Sequence, residues 1–250
     1  MLSTSGKGGV GKSTVVIGLA AAFARAGRRV ALLDIDIRAP NLTYMLGLPS
    51  TSEAARTGHP LPARAVLDGH AVEVFSPAMV FRDGGSIIMG GRQMRQMVID
   101  MIHDVVWSEP DVMVVDVDPS SGDSIQAVAA TLRRVSAVIV ATPDRSALED
   151  CRRMADACVT LGIRVAGVVG NMVGAVCWNC EKPLHCQECG APPGRPGEEE
   201  IEDLARQVEA PVLGYLPRDE NFRESPGTTV TRPQYRNVFD RAAAEALRWE

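Results

Sequence analysis

Short apolar runs recur along the chain at Val30–Leu33, Val72–Phe75, Val112–Val115, Val135–Val140, Val165–Val169 and Val212–Tyr215. Each is continuous, rich in valine, and too short to make a helix of ordinary length. That is the pattern of a strand covered on both faces. Met1–Thr4 adds a short strand at the start. Helical spacing separates most of these runs. Val15–Ala26 is an apolar helix ending at Gly27, and Tyr235–Trp249 places Phe239, Ala243, Ala246 and Leu247 on one face. Alternation of this kind predicts a single α/β domain over residues 1–250, with a mostly parallel, doubly wound sheet and helices on both faces. Two stretches carry no predicted element. Ser50–Ala65 is a polar connection containing Gly and Pro, and Pro192–Glu200 is a Pro/Gly/Glu stretch expected to be a mobile joint before the next helix.

Composition narrows the function. Hydrophobic residues make up 46% of the 250 residues, and mean hydropathy is near zero, which suits a soluble globular chain. A net charge of −5 offers no basic footprint for nucleic acid, and 4% aromatic content offers few stacking platforms. No apolar run approaches the ~20 residues needed to span a membrane. No signal peptide is visible ahead of a glycine-rich loop that begins at Gly6, so a cytoplasmic protein is expected. The last predicted helix has mixed charges and reads as a packing element, not a membrane anchor.

That glycine-rich loop carries the first chemistry. Gly6-Lys7-Gly8-Gly9-Val10-Gly11-Lys12-Ser13-Thr14 fits G-x-x-x-x-G-K-[ST] between a predicted strand and a predicted helix. Glycines let backbone N–H groups wrap a phosphate chain, and the helix start adds the positive end of its dipole. Lys12 is expected on the β- and γ-phosphates and the Ser13 hydroxyl on Mg²⁺. The strand Val30–Leu33 then delivers Asp34 and Asp36, whose i, i+2 spacing points both carboxylates the same way. One suits Mg²⁺ organisation and the other the orientation of an attacking water. Val112–Val115 ends in Asp116, a Walker B pattern whose acid serves Mg²⁺. The following Asp118–Asp123 loop looks like a γ-phosphate switch.

Lys7, directly after the first glycine, makes the loop resemble the deviant Walker A of the MinD/ParA/nitrogenase-iron-protein class of P-loop ATPases. The resemblance implies an ATP-dependent homodimer in which Lys7 reaches the partner's nucleotide, with Asp36 positioning water and Asp34 supporting the Mg²⁺ shell. More narrowly, the chain resembles the Mrp/ApbC iron–sulfur carriers nearly end to end. The matching segments are Gly91–Trp107 with Glu109-Pro110-Asp111, Ala141-Thr142-Pro143 with Ala147–Arg153, Gly167–Met172 and Gly214–Asp219. By that resemblance Asn171 contacts adenine, and Pro217 and Asp219 flank the base. The chain departs from the pattern at Asp118 and Ser120 in the switch, and at Trp178, which replaces a proline. Its first strand begins at Met1, so the N-terminal extension of many such proteins is expected to be absent.

Six cysteines complete the inventory. Cys151 and Cys158 share a face of a predicted helix and read as core. Cys177, Cys180, Cys186 and Cys189 form C-x₂-C-x₅-C-x₂-C in a Gly/Pro-flanked loop at 174–192, with His185 between the pairs. Cys-x-x-Cys lets two thiolates chelate one metal centre with little chain strain. The resemblance implies a [4Fe–4S] cluster shared across the homodimer by Cys177 and Cys180, with the second pair outside the common pattern. The residues alone leave open a structural zinc or a cluster held by all four cysteines in one chain, a redox pair, and a metal-free or disulfide-stapled loop. The expected activity is that of a slowly hydrolysing ATPase that carries a cluster to apo-proteins. The rivals are a positioning ATPase with a structural zinc and a metallocentre-maturation ATPase.

Overall fold

The computed structural model describes residues 1–37, 39–49, 59–80, 90–118, 122–177, 179–180, 182–185, 187, 189–190 and 197–248. Its strands are β1 (Leu2–Thr4), β2 (Val30–Asp34), β3 (Ala63–Leu67), β4 (His70–Phe75), β5 (Val112–Asp116), β6 (Ser136–Ala141), β7 (Arg164–Ala175) and β8 (Val212–Arg218). The helices are α1 (Lys12–Arg25), α2 (Leu42–Met45), α3 (Gly91–His103), α4 (Gly122–Thr131), α5 (Arg145–Thr160), α6 (Glu198–Gln207), α7 (Asn221–Glu224), α8 (Pro226–Thr229) and α9 (Pro233–Leu247). The strands form one sheet in the order β3-β4-β2-β5-β1-β6-β7-β8. It is parallel except for the β3–β4 hairpin. β1 sits between β5 and β6, where the winding reverses, so a crevice opens at the C-terminal ends of these strands.

Alternation along each strand divides the core. On β2, Leu32 joins the cluster under α1 and α9, while Leu33 joins the cluster under α3 and α4. Ile139, Ala141 and Val168 pack instead with α5 and α6. The expected packing role of the last helix is seen in α9, whose Tyr235, Val238, Phe239, Ala242 and Ala243 are buried. Phe239 lies against Gly18 of α1, where any Cβ would collide with its ring. Phe239→Ala is expected to cost about 3–5 kcal/mol, read as a lower urea midpoint at unchanged slope. Among the described residues no helix is long and apolar enough to cross a membrane.

Several boundaries differ from the sequence reading. The connection expected over Ser50–Ala65 ends in a strand, because Ala63–Ala65 open β3. The signal was Asp68-Gly69, which both take positive φ (51° and 80°) and close a two-residue hairpin pairing Leu67 with His70. The mobile joint expected over Pro192–Glu200 gives way at its end to α6. Glu198, Glu199 and Glu200 fill that helix's first turn, where its dipole favours acids. The rest of that stretch, 192–196, and positions 50–58 of the other lie outside the described residues. The matching segment Gly91–Trp107 is helical as far as His103. β7 runs past Val169 to Ala175.

Candidate functional site

The glycine-rich loop leaves β1 and turns into α1 at Gly11, which takes φ 90°. A side chain there would be strained in its backbone and would strike the Asn171 amide. Gly6 is similarly constrained, since a Cβ would run into the backbone of Asp150. No side chain caps α1. Its first N–H groups and dipole therefore face the cavity at the strand ends, as an anion site requires. Asn171 Nδ2 donates to Val10 O at 2.7 Å and fixes the loop from the β7 side. The cavity, of about 1010 Å³, is lined by Gly8, Gly9, Gly11, Lys12, Ser13, Thr14, Asp36, Asp118, Asn171, Pro217 and Asp219. The structure thus brings together the expected cradle residues, one water-positioning candidate and the base-flanking segment. It adds Asn41, Tyr44, Met45, Phe222 and Arg223, which no local motif announced.

Asp34 and Asp116 are register partners on adjacent parallel strands, which sets two buried carboxyls side by side. Asp34 Oδ1 accepts from Asp36 N at 3.0 Å, and its Oδ2 accepts from Ser76 Oγ at 3.0 Å and Leu42 N at 3.4 Å. Expected in the Mg²⁺ shell, its carboxylate anchors the loop that presents Asp36. Burial, then the neighbouring Asp116 charge, pushes the Asp34 carboxyl well above the usual range. Burial also lifts Asp116 to about 6, against the opposing pull of the Ser13 hydrogen bond and Lys12. Asp116 Oδ1 is buried with no hydrogen-bond partner among the described residues.

These shifts set a pH dependence. Both carboxyls bind protons more readily in the folded chain than in the unfolded one. Stability contributed by Asp116 is therefore fullest below the ordinary carboxylate value, about 3.9, and is lost as pH rises through its folded value. The ligand-free protein is expected to lose stability between pH 4 and about 6 from this source. Asp116→Asn is expected to flatten that slope in urea titrations at several pH values. An unchanged slope would dismiss Asp116 as its origin.

Lys7 lies outside the cavity on its own chain. Its Nζ is 3.3 Å from Asp144 Oδ1 and 2.9 Å from Ser146 Oγ. Asp144 also caps α5, accepting from the Ser146 and Ala147 amides. The Ser146 hydroxyl first, then the Ala147 amide and Lys7, hold its carboxyl down at about 2. The pair is exposed to solvent and therefore weakly held, so Lys7 is readily redeployed. Asp219 lines the cavity with its carboxylate bonded within the chain. It accepts from Asn221 N, Asn221 Nδ2 and Tyr235 OH, at 2.9, 2.8 and 2.8 Å, and so fixes the loop after β8.

The cysteine loop grows directly from β7. Val176 N donates to Arg218 O, Cys177 N to Lys182 O and Leu184 N to Ala175 O, so the strand continues as a short hairpin. Cys177 is half-buried at its root, and Cys180 and Cys189 are exposed; all three are free thiols. Hydrogen bonds from the Cys180 and Asn179 amides, then from the Cys180 side chain, hold the Cys177 thiol below its ordinary value. Cys186 and Trp178 lie outside the described residues. Among the described residues no three His, Cys, Asp or Glu side chains gather into a metal site. Cys151 and Cys158 are buried on α5 as expected, with burial lifting Cys158 to about 12. A groove of about 700 Å³ runs from the P-loop past Lys7, Met172 and Arg218 to Leu184, joining the cradle to the foot of the hairpin.

Residues 1–247 match the ParA group described as the NUBPL iron-transfer P-loop NTPase. The chain belongs to this family. A similar curated relative is the iron–sulfur cluster carrier protein of Helicobacter pylori, 31% identical over 224 residues, covering 89% of this chain and 58% of that protein. Another is the cytosolic Fe-S cluster assembly factor Nubp2 homolog of Anopheles gambiae, 33% identical over 231 residues, covering 91% of this chain and 86% of that one. Among solved structures, the Archaeoglobus fulgidus nucleotide-binding protein in complex with ADP aligns with TM-score 0.65 and 22% identity, covering 98% of this chain and 86% of the other. Pyrococcus furiosus MinD aligns with TM-score 0.63 and 20% identity, covering 100% and 98%. These structural likenesses establish the fold of the NUBPL-type NTPase described above, which is the fold its alternating apolar runs predict.

Proposed function

We propose that this NUBPL-type chain is a homodimeric, slowly hydrolysing ATPase that holds an iron–sulfur cluster on Cys177 and Cys180 and passes it to apo-proteins. The observation that carries this reading is one strand with two ends of chemistry. β7 brings Asn171 to the P-loop and then continues into the hairpin that presents Cys177. Names of relatives as cluster carriers and cytosolic assembly factors support the cargo and a cytoplasmic setting.

In this mechanism the α1 N-terminus and the glycine amides bind the phosphates, and Lys12 offsets their charge. The base lies by Asn171, with the Pro217–Asp219 segment alongside. A hard divalent cation fits the oxygen donors at the cavity floor, since Ser13 Oγ and the unpartnered Asp116 Oδ1 supply what Mg²⁺ prefers. Mg²⁺ there would neutralise phosphate charge, with Asp34 holding the adjacent loop. Asp36, kept in place by the Asp34 anchor, orients the attacking water. Lys7 leaves Asp144 to complete the partner's site.

Each chain presents Cys177 and Cys180 together, so a four-iron cluster completes its ligand set from a second copy. Cluster and sulfide analysis after anaerobic reconstitution tests this. The expected result is about four iron and four sulfide per dimer. About four of each per monomer would transfer the site to all four cysteines of one chain. One zinc per chain without sulfide would replace the carrier reading by a zinc-stabilised ATPase.

A further inference from the structure

The end of β7 is built irregularly. Asn171 pairs with Leu216 and Ala175 with Arg218, so Met172, Val173 and Gly174 stand opposite Pro217 alone. Proline has no N–H to give the ladder, and the strand takes up the slack as a bulge. Within it Met172 takes φ 59° and Gly174 φ 69°. Glycine adopts that conformation freely, whereas an unbranched bulky side chain rarely does. Packing does not hold Met172 there, because it is 40% exposed. Its conformation is imposed from both sides: Asn171 is tied to Val10 O, and Val173 is buried beside Ile201. Met172 and Arg218 line both the nucleotide cavity and the groove at the foot of the cysteine hairpin.

We infer that Met172 is a positioning residue, the strained pivot through which an occupied nucleotide cavity re-aims the Cys177–Cys180 hairpin. This rests on the nucleotide-binding reading above. A ligand at Asn171 or the Pro217 segment acts on one side of the bulge. The next paired rung, Ala175 with Arg218, is the root of the hairpin, where Val176 N bonds Arg218 O. A regular ladder would absorb such a shift. A bulge held in a sparsely populated backbone conformation has an alternative close in energy, and strain of this kind concentrates at switch regions. The side chain matters little and the left-handed backbone matters most.

The test is the alkylation rate of Cys177 and Cys180 by iodoacetamide, followed by mass spectrometry on the reduced, metal-free full chain. It is read with and without saturating MgADP, at dilutions where light scattering shows monomer, so that dimerisation does not shield the thiols. In the unaltered chain MgADP is expected to change the rate by about fivefold or more. Met172→Asn, a residue tolerant of the left-handed region, is expected to keep that response. Met172→Val, which disfavours it, is expected to lose the response while still binding MgADP at saturation. If MgADP binds and the thiol rates do not move, the pivot is wrong and the nucleotide reading stands. If MgADP does not bind the unaltered chain, the nucleotide reading itself fails. Equal loss in both variants would assign Met172 a side-chain packing role and overturn the inference.

Discussion

Lys12→Ala is expected to reduce MgATP affinity by about a hundredfold or more, a loss of roughly 3 kcal/mol, with the fold intact. The size of the effect follows from the floor of the cavity. Asp36 and Asp118 line it, and Asp116 lies buried beneath. Lys12 is itself buried and lies close enough to Asp116 to draw its carboxyl downward. Without the ammonium, a polyphosphate would meet these carboxylates with only the loop amides, the α1 N-terminus and the more peripheral Arg218 and Arg223 to oppose them. Isothermal titration calorimetry reads the loss directly, and thermal unfolding checks the fold. Lys12→Arg is expected to recover little. A planar fork cannot take the place of a compact ammonium at a buried position. Affinity within tenfold of the unaltered chain would show that the amide cradle alone carries binding.

Most of the sheet was legible because its inner strands, such as β2 and β6, are buried on both faces and so read as continuous apolar runs. β2 through Leu33 and β5 through Val115 needed no further information. β3 was not legible in the same way. Its burial alternates, with Arg64 and Val66 outward and Ala65 and Leu67 inward, and an edge strand of five residues gives a weak periodic signal. The Asp68-Gly69 turn was the stronger cue. The site divides along similar lines. The cradle from Gly6 to Thr14 is contiguous, and contiguous chemistry shows in sequence. The partners of that chemistry are distant in the chain and therefore silent in it. Ser76 on Asp34, Asp144 and Ser146 on Lys7, and Tyr235 on Asp219 are set by topology alone. So is the commitment of Asp34 and Asp219 to internal hydrogen bonds, since a motif identifies a carboxylate without showing what already occupies its oxygens. The bulge in β7 belongs to the same group. Pro217 forces it, but only pairing with β8 reveals which residues of β7 stand opposite.

Cys177→Ser is expected to abolish cluster assembly while leaving nucleotide affinity unchanged. Cys177 roots the hairpin, and its thiol is held low by the amides of Cys180 and Asn179, which favours the thiolate that a soft metal needs. A serine hydroxyl fits the same backbone but stays protonated and is a poor soft ligand. Losing an outer-shell partner typically costs a metal site about 10–100-fold in affinity, and losing a direct ligand at least that. Iron and sulfide content after anaerobic reconstitution should therefore fall to background, with MgATP titrations unaltered, because Cys177 does not line the cavity. Two companion variants make the result specific. Cys158→Ser changes a thiol that burial lifts to about 12, in a core cluster on α5 and outside the hairpin. It should keep the cluster and lose stability instead, as a hydroxyl placed in an apolar core does. Cys189→Ser separates the two cluster architectures. A cluster bridging two copies through Cys177 and Cys180 survives that change, whereas one held by four cysteines of a single chain is lost with it. Full cluster occupancy in Cys177→Ser would remove the hairpin from the site altogether.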